Sequence, residues 1–191
     1  MYSDENINFT LNIKKHFDHW KRIGAFAPSS HFLAERMAAF VPEDARVIVE
    51  LGAGAGSVTR KLLDRVRSDA IVIAVEEAPE LVEKLRTIDD SRLVVVCESA
   101  VEIGAKVRQL GFEYVDCVVS GLPLSTLPKN EDRAILEASK KVIRLGGVFI
   151  QFQYFLASFG LIKKYFPNVR IASYVLRNIP PAFVYVAKRE F

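Results

Sequence analysis

The chain has 191 residues, with 26 Lys and Arg against 23 Asp and Glu, a net charge of +3, and half of its residues are hydrophobic. That length and apolar content suit one domain with a sizeable core and exclude disorder or a coiled coil. So small a net charge argues neither for nor against nucleic acid, and any basic surface must be local. The two cysteines, Cys97 and Cys117, both fall in apolar strand-like runs. They read as small buried core residues rather than a disulfide or metal site, which suits a reducing, cytoplasmic setting.

Residues 1–23 form the first segment. Phe9, Ile13, Phe17 and Trp20 recur at helical spacing, with Lys14, Lys15, Lys21 and Arg22 around them. An apolar stripe with a Trp and a basic flank predicts an amphipathic helix suited to the headgroup boundary of an anionic bilayer, peripheral to the inner membrane face. The competing reading is a helix packed on the core with a solvated basic face. His16, His19 and His31 lack metal-ligand spacing, and no Cys/His cluster implies a metal.

Residues 24–191 make up the main domain. At 47–56, VIVELGAGAG is a β-branched run that ends in Glu50 and then alternates glycine with alanine. Val47, Ile48 and Val49 suit a strand buried on both faces, while Gly52, Gly54 and Gly56 permit a tight turn and close approach of a ligand. Val58, Leu62 and Val66 then fall at helical spacing, so the loop opens a helix. The run 70–77 is a second strand ending in acid, and Pro79 starts a helix with Leu81 and Leu85 on one face. Residues 92–99 form a third strand. Ile103, Val107 and Leu110 make a helix that Gly111 closes, and 115–124 is a fourth strand running into a loop. Asn130 is placed to N-cap a helix carrying Ile135, Ala138 and Val142. Residues 145–162 hold 18 positions without a formal charge, long enough for a membrane span, but Gly146, Gly147, Gln151 and Gln153 interrupt them. The simpler reading is a strand at 147–154, then a helix stopped by Pro167. Two last strands joined across residues 179–181 predict a closing hairpin.

Five strand–helix units followed by a β pair argue for a doubly wound α/β sheet with its ligand at the carboxyl ends of the strands. A pyrophosphate fingerprint would want Gly or Ala where Ser57 stands, and an anionic strand end fits a cationic ligand better. Glu50 leading into G-x-G-x-G resembles motif I of the class I S-adenosylmethionine (SAM) methyltransferases. The resemblance implies a Rossmann-like sheet of seven mostly parallel strands in order 3-2-1-4-5-7-6, with strand seven antiparallel and helices on both faces. Cys97 and Cys117 would then stand three strand spacings apart, about 14 Å, beyond disulfide reach. It also implies a SAM site built from Glu50, Gly52, Gly54 and Gly56, with Glu76 on the ribose hydroxyls and neighbouring Glu77 as a rival. Glu98, Ser99 and Ala100 would lie near the adenine, Glu98 or Ser99 contacting its amino group, and Ser120 would border the cofactor.

The loop after the fourth strand bears on the acceptor. Adenine amino methyltransferases carry Asn/Asp-Pro-Pro-Tyr or Asn-Leu-Pro-Tyr there, whereas this chain has Ser120, Gly121, Leu122, Pro123 and Leu124. The amide and the stacking aromatic are missing, which argues against a flipped base and for an aliphatic amine. Residues 118–128, 151–155 and 176–189, with GAFAPSSHFLAERMA at 24–38, resemble the bacterial phospholipid N-methyltransferase family over nearly the whole chain. That family methylates the amine of phosphatidylethanolamine with SAM, and the same site would take another small amine. Ser120, Gly121 and Tyr154 are the candidates to orient the amine. Leu122 and Pro123 would line its site, and Arg177 and Asn178 would meet the lipid phosphate. The alternatives are an enzyme related to the rRNA adenine dimethylases, or a non-catalytic protein binding SAM or NAD on the same fold.

Overall fold

The computed structural model of the protein describes residues 30–128 and 130–190, so the amphipathic segment expected at 1–23 lies outside the described residues. The first described helix is α1 (His31–Ala38), and the alternation of strand and helix then follows the chain. The elements are β1 (Val47–Leu51), α2 (Ser57–Arg65), β2 (Ile71–Glu76), α3 (Pro79–Arg86), β3 (Leu93–Cys97), α4 (Ile103–Gln109), β4 (Val115–Ser120), α5 (Glu131–Val142), β5 (Ile143–Gln153), α6 (Phe159–Tyr165), β6 (Arg170–Val175) and β7 (Ala182–Lys188). The sheet order is β3-β2-β1-β4-β5-β7-β6, the order that the motif I resemblance implies. β1 to β5 are parallel, and β7 runs antiparallel to both β5 and β6.

The period-2 alternation of strand side chains divides the core in two. Ile48, Val72, Cys117, Ile150 and Val184 pack with α1 and α2 on one face. Val49, Ile73, Val118, Phe149 and Tyr185 pack with α4, α5 and α6 on the other. Both faces of the central strands are therefore covered, which is why β1, β2 and β4 read as continuous apolar runs.

Four local expectations need correction. Cys97 is exposed, because β3 is the edge strand and Cys97 is its last residue, whereas Cys117 is buried at the centre. Asn130 does precede α5, but it adopts a left-handed backbone (φ 78°) and its side chain makes no capping bond. β5 begins at Ile143 rather than 147, because Ile143 pairs with Val115 before a register shift at Cys117. The buried face of α3 is Val82 and Leu85, with Leu81 half-buried.

The parallel strands end together, and the return hairpin brings the close of β6 and the start of β7 to the same rim. Asn178, buried at 3% exposure, pins this hairpin to α1: its Oδ1 accepts the Ser30 N–H (3.0 Å) and its Nδ2 donates to the Pro180 carbonyl (2.7 Å).

Candidate active site

The glycine loop after β1 is where the backbone is most constrained. Gly52, Gly54 and Gly56 have φ of 71°, 58° and 87°, all left-handed, a region in which a Cβ is costly. A Cβ on Gly52 would stand 2.6 Å from Leu122 Cδ2, and one on Gly121 would stand 3.1 Å from the Gly52 carbonyl oxygen. The loops after β1 and β4 thus touch, with the Gly121 N–H donating to the Leu51 carbonyl (2.9 Å). A Cβ on Gly54 would meet nothing within 4 Å, so this part of the loop faces open space.

Three carboxylates expected at the site have different surroundings. Glu76, at the end of β2, accepts three backbone N–H bonds: Gly54 (2.8 Å) on Oε2, Glu77 (3.0 Å) and Ala78 (3.0 Å) on Oε1. It holds the glycine loop directly, and the rival Glu77 offers it only a backbone N–H. Glu50 is 2% exposed, and the Thr59 hydroxyl donates to its Oε2 at 2.6 Å. Burial, only partly offset by that hydrogen bond and reinforced by the nearby Glu76 charge, raises its pKa from 4.5 to about 8. The sequence suggested a ready anion here. Instead, the carboxyl of the ligand-free protein holds its proton at neutral pH. Glu98 is exposed and turned to Lys106 (3.3 Å), while Ser99 accepts the Val101 N–H at the start of a short 3-10 turn that begins at Ala100. These three lie two strands out from β1, at the edge.

The β4 loop is clamped by two residues whose part the sequence reading missed. Gln151 Nε2 (3.0 Å) and Gln153 Nε2 (2.8 Å) both donate to the Leu122 carbonyl, and Gln151 Nε2 also donates to the Phe152 carbonyl (2.8 Å). Their signal was two glutamines at period two inside an otherwise buried strand. Two carbonyls fix the amide's orientation, and Gln151 Oε1 is buried without a hydrogen-bond donor among the described residues. Ser120 is fully buried beside them, opposite Gln151 in register, and its Oγ accepts the Leu122 N–H (3.4 Å). Pro123 opens a short turn that buries Leu124, so the position that carries the aromatic in adenine enzymes points into the core.

Tyr154 follows β5 and packs edge-on against Phe152 (5.5 Å between centroids), whose ring edge lies 3.6 Å from a Cβ placed on Gly121. Burial raises the Tyr154 pKa, and a hydrogen bond with Asn178 opposes the shift. The group therefore stays a phenol at neutral pH and is no base. Arg177 and Asn178 diverge in spite of being neighbours. Asn178 is committed to the α1 tie, whereas Arg177 is exposed with its guanidinium 5.1 Å over the Phe32 ring.

A protonated buried glutamic acid, a second glutamate beside it and an open glycine turn suit SAM, whose sulfonium and ammonium would favour the ionised form of Glu50. No group of three or more His, Cys, Asp or Glu side chains among the described residues converges as metal ligands would.

Comparison with known proteins agrees with this geometry. Residues 49–151 match the Methyltransferase domain family. The ornithine lipid N-methyltransferase of Singulisphaera acidiphila is 34% identical over 185 residues, covering 95% of this chain and 96% of that protein. Among solved structures, a T. thermophilus 16S rRNA N2 methyltransferase in complex with AdoMet and guanosine superposes with a TM-score of 0.63 at 21% identity, over 87% of this chain and 44% of that one. Spermidine synthase from Thermotoga maritima gives 0.62 at 18%, over 85% and 60%. The chain thus spans about half the length of these two structural neighbours and nearly all of the lipid enzyme, and the structural likenesses speak to the fold alone. On the strength of the domain match and the full-length relative, the chain belongs to the class I SAM-dependent methyltransferases and is an enzyme of that family.

Proposed function

We propose that the protein transfers the methyl group of SAM to the aliphatic amine of a membrane lipid headgroup, with phosphatidylethanolamine as the phospholipid substrate and ornithine lipid as the rival acceptor. The observation that carries the reading is the 34% identity to an ornithine lipid N-methyltransferase along 95% of the chain. The β4 loop supports it: with Leu124 turned inward and Leu122 against Gly52, the loop offers a narrow apolar wall and no stacking surface for a base.

In this reading SAM supplies an electrophilic methyl carbon. Gly52 to Gly56 would let the cofactor approach the backbone, Glu50 would face its positive charge, and Glu76, which holds Gly54, would accept from its ribose hydroxyls. Glu98, Ser99 and Ala100 would flank the adenine from the edge of the sheet. The acceptor amine's lone pair would form the N–C bond to that carbon, the C–S bonding pair leaving with sulfur. Ser120, the Gly121 carbonyl and the Tyr154 hydroxyl orient the amine, and Leu122 and Pro123 line its approach. Because Tyr154 is held as a phenol, it positions the amine without deprotonating it. The acceptor must arrive as free amine, and holding two partners in contact supplies most of the rate. Arg177, exposed and without an ion pair among the described residues, would meet the headgroup's phosphate or carboxylate. Asn178 acts indirectly, holding the strand tip on which Arg177 stands.

Labelled SAM incubated with phosphatidylethanolamine, ornithine lipid and ribosomal RNA in parallel tests this. Label in extracted lipid is expected, and the better lipid names the acceptor. Label confined to RNA would replace this reading with the adenine dimethylase one.

A further inference from the structure

The large apolar side chains that remain exposed are unevenly distributed. Of the nine among the described residues, Phe32, Phe155, Leu156, Tyr174, Leu176 and Ile179 lie at the carboxyl-end rim of the sheet, and Tyr114, Leu145 and Ile171 at the opposite end. The two most exposed are Leu176 (69%) and Ile179 (84%), both on the β6–β7 tip. Isolated exposed apolar residues need no explanation, but a cluster on one rim marks an interaction surface.

This tip is held in place. Asn178, between the two, is buried and bonded to Ser30 and Pro180, so Leu176 and Ile179 project from a fixed support. Cations flank them: Arg177 stacks over Phe32, and Arg36 lines the same groove of about 450 Å³ between α1 and β6. Neither arginine forms an ion pair among the described residues, and the nearby Glu35 lies 3.5 Å from His31. Protruding aliphatic side chains beside two arginines that form no ion pair among the described residues complement an anionic bilayer, apolar groups entering the acyl boundary while guanidinium groups meet phosphates. The rim is also continuous with the catalytic loop, since Phe155 and Leu156 directly follow Tyr154.

We infer that the β6–β7 tip, with Phe155 and Leu156 beside it, is the face by which the enzyme beds into an anionic lipid bilayer, so that the headgroup amine reaches the β4 loop without leaving the membrane plane. This rests on the lipid-amine reading above and assigns its docking surface.

The test uses the full chain and vesicles of phosphatidylcholine and phosphatidylglycerol in equal parts. The double variant Leu176→Ser/Ile179→Ser should lose at least tenfold in vesicle partition while its SAM affinity and melting temperature stay those of the parent. Replacing Arg36 by Gln should cost roughly fivefold in partition on these vesicles and nothing on pure phosphatidylcholine. In a Trp20→Phe background, the indole introduced by Ile179→Trp should shift to the blue and be quenched by brominated lipid only when vesicles are present. Unchanged partition of the double variant overturns the proposal. So does an indole already shielded without vesicles, which would mean that a second copy or the chain's own N-terminal residues cover the tip. The lipid-amine reading fails separately, if the parent chain methylates no lipid amine dispersed in detergent, where docking is not required.

Discussion

Glu50 offers the most quantitative test of the site. A carboxyl that is 2% exposed, with its pKa raised from 4.5 to about 8, keeps in the native state a proton that the unfolded chain releases anywhere between those two values. In that window the unfolded state binds fewer protons, so stability falls as pH rises. The native advantage is complete below 4.5, declines through the interval, and levels off above about 8. Each pH unit is about 1.4 kcal/mol, and the 3.5 units between 4.5 and 8 amount to about 5 kcal/mol. That is comparable with the whole stability of a modest domain. Glu50→Gln is close in shape, keeps an oxygen for the Thr59 hydroxyl and cannot ionise. Urea unfolding of both proteins without SAM, at a series of pH values spanning the window, gives the difference directly. The glutamine variant should gain on the parent by about 1.4 kcal/mol per unit toward alkaline pH. A difference that stays flat across the window would mean that Glu50 is already ionised without SAM, which would refute its raised pKa.

Three further outcomes follow from the same geometry. SAM binding near neutral pH should release a proton from Glu50, seen as a calorimetric enthalpy that varies with the buffer's ionisation heat, and Glu50→Gln should abolish that dependence. Glu76→Ala removes the acceptor for three backbone N–H groups and should weaken SAM by roughly 1–3 kcal/mol in a binding titration, an effect that unchanged affinity would refute. Alanine at Gly147 would place a Cβ 2.8 Å from the Asp116 carbonyl oxygen and 2.9 Å from that of Arg144, and should cost about 2–3 kcal/mol in unfolding. Gly54→Ala meets no atom, so only its left-handed backbone is strained, about 1–2 kcal/mol; equal losses at the two sites would contradict the contact argument.

The alternation of strand and helix was legible because each unit carried its own punctuation, a β-branched run, then an acid or glycine, then a helical stripe, whereas the order of the strands came only from the motif I resemblance. Cys97 went astray because a strand's run of apolar residues does not say whether the strand is central or at an edge. That depends on pairing between distant segments. Asn130 went astray because the same residue that suits an N-cap also tolerates a left-handed turn, and the backbone took the second option. At the site, sequence could place Glu50 at the end of a strand, but its protonation depends on burial, which only the packed helices create. Gln151 and Gln153 were visible only as interruptions of an apolar stretch, because their shared partner, the Leu122 carbonyl, is a backbone atom about thirty residues away.

The position of β7 between β5 and β6 has a consequence for how the protein is made. Residues 182–188 supply the register for both neighbours, so β6 has nothing to pair with, and the Asn178–Ser30 tie nothing to hold it, until that stretch has left the ribosome. The first five strands can assemble without it, but the hydrogen-bonding edge of β5 stays unpaired until residues 182–188 arrive. Completion of the fold, and with it the rim beside the candidate site, therefore waits on residues 182–188, and the β5 edge is where a chain lacking them is most exposed to mispairing.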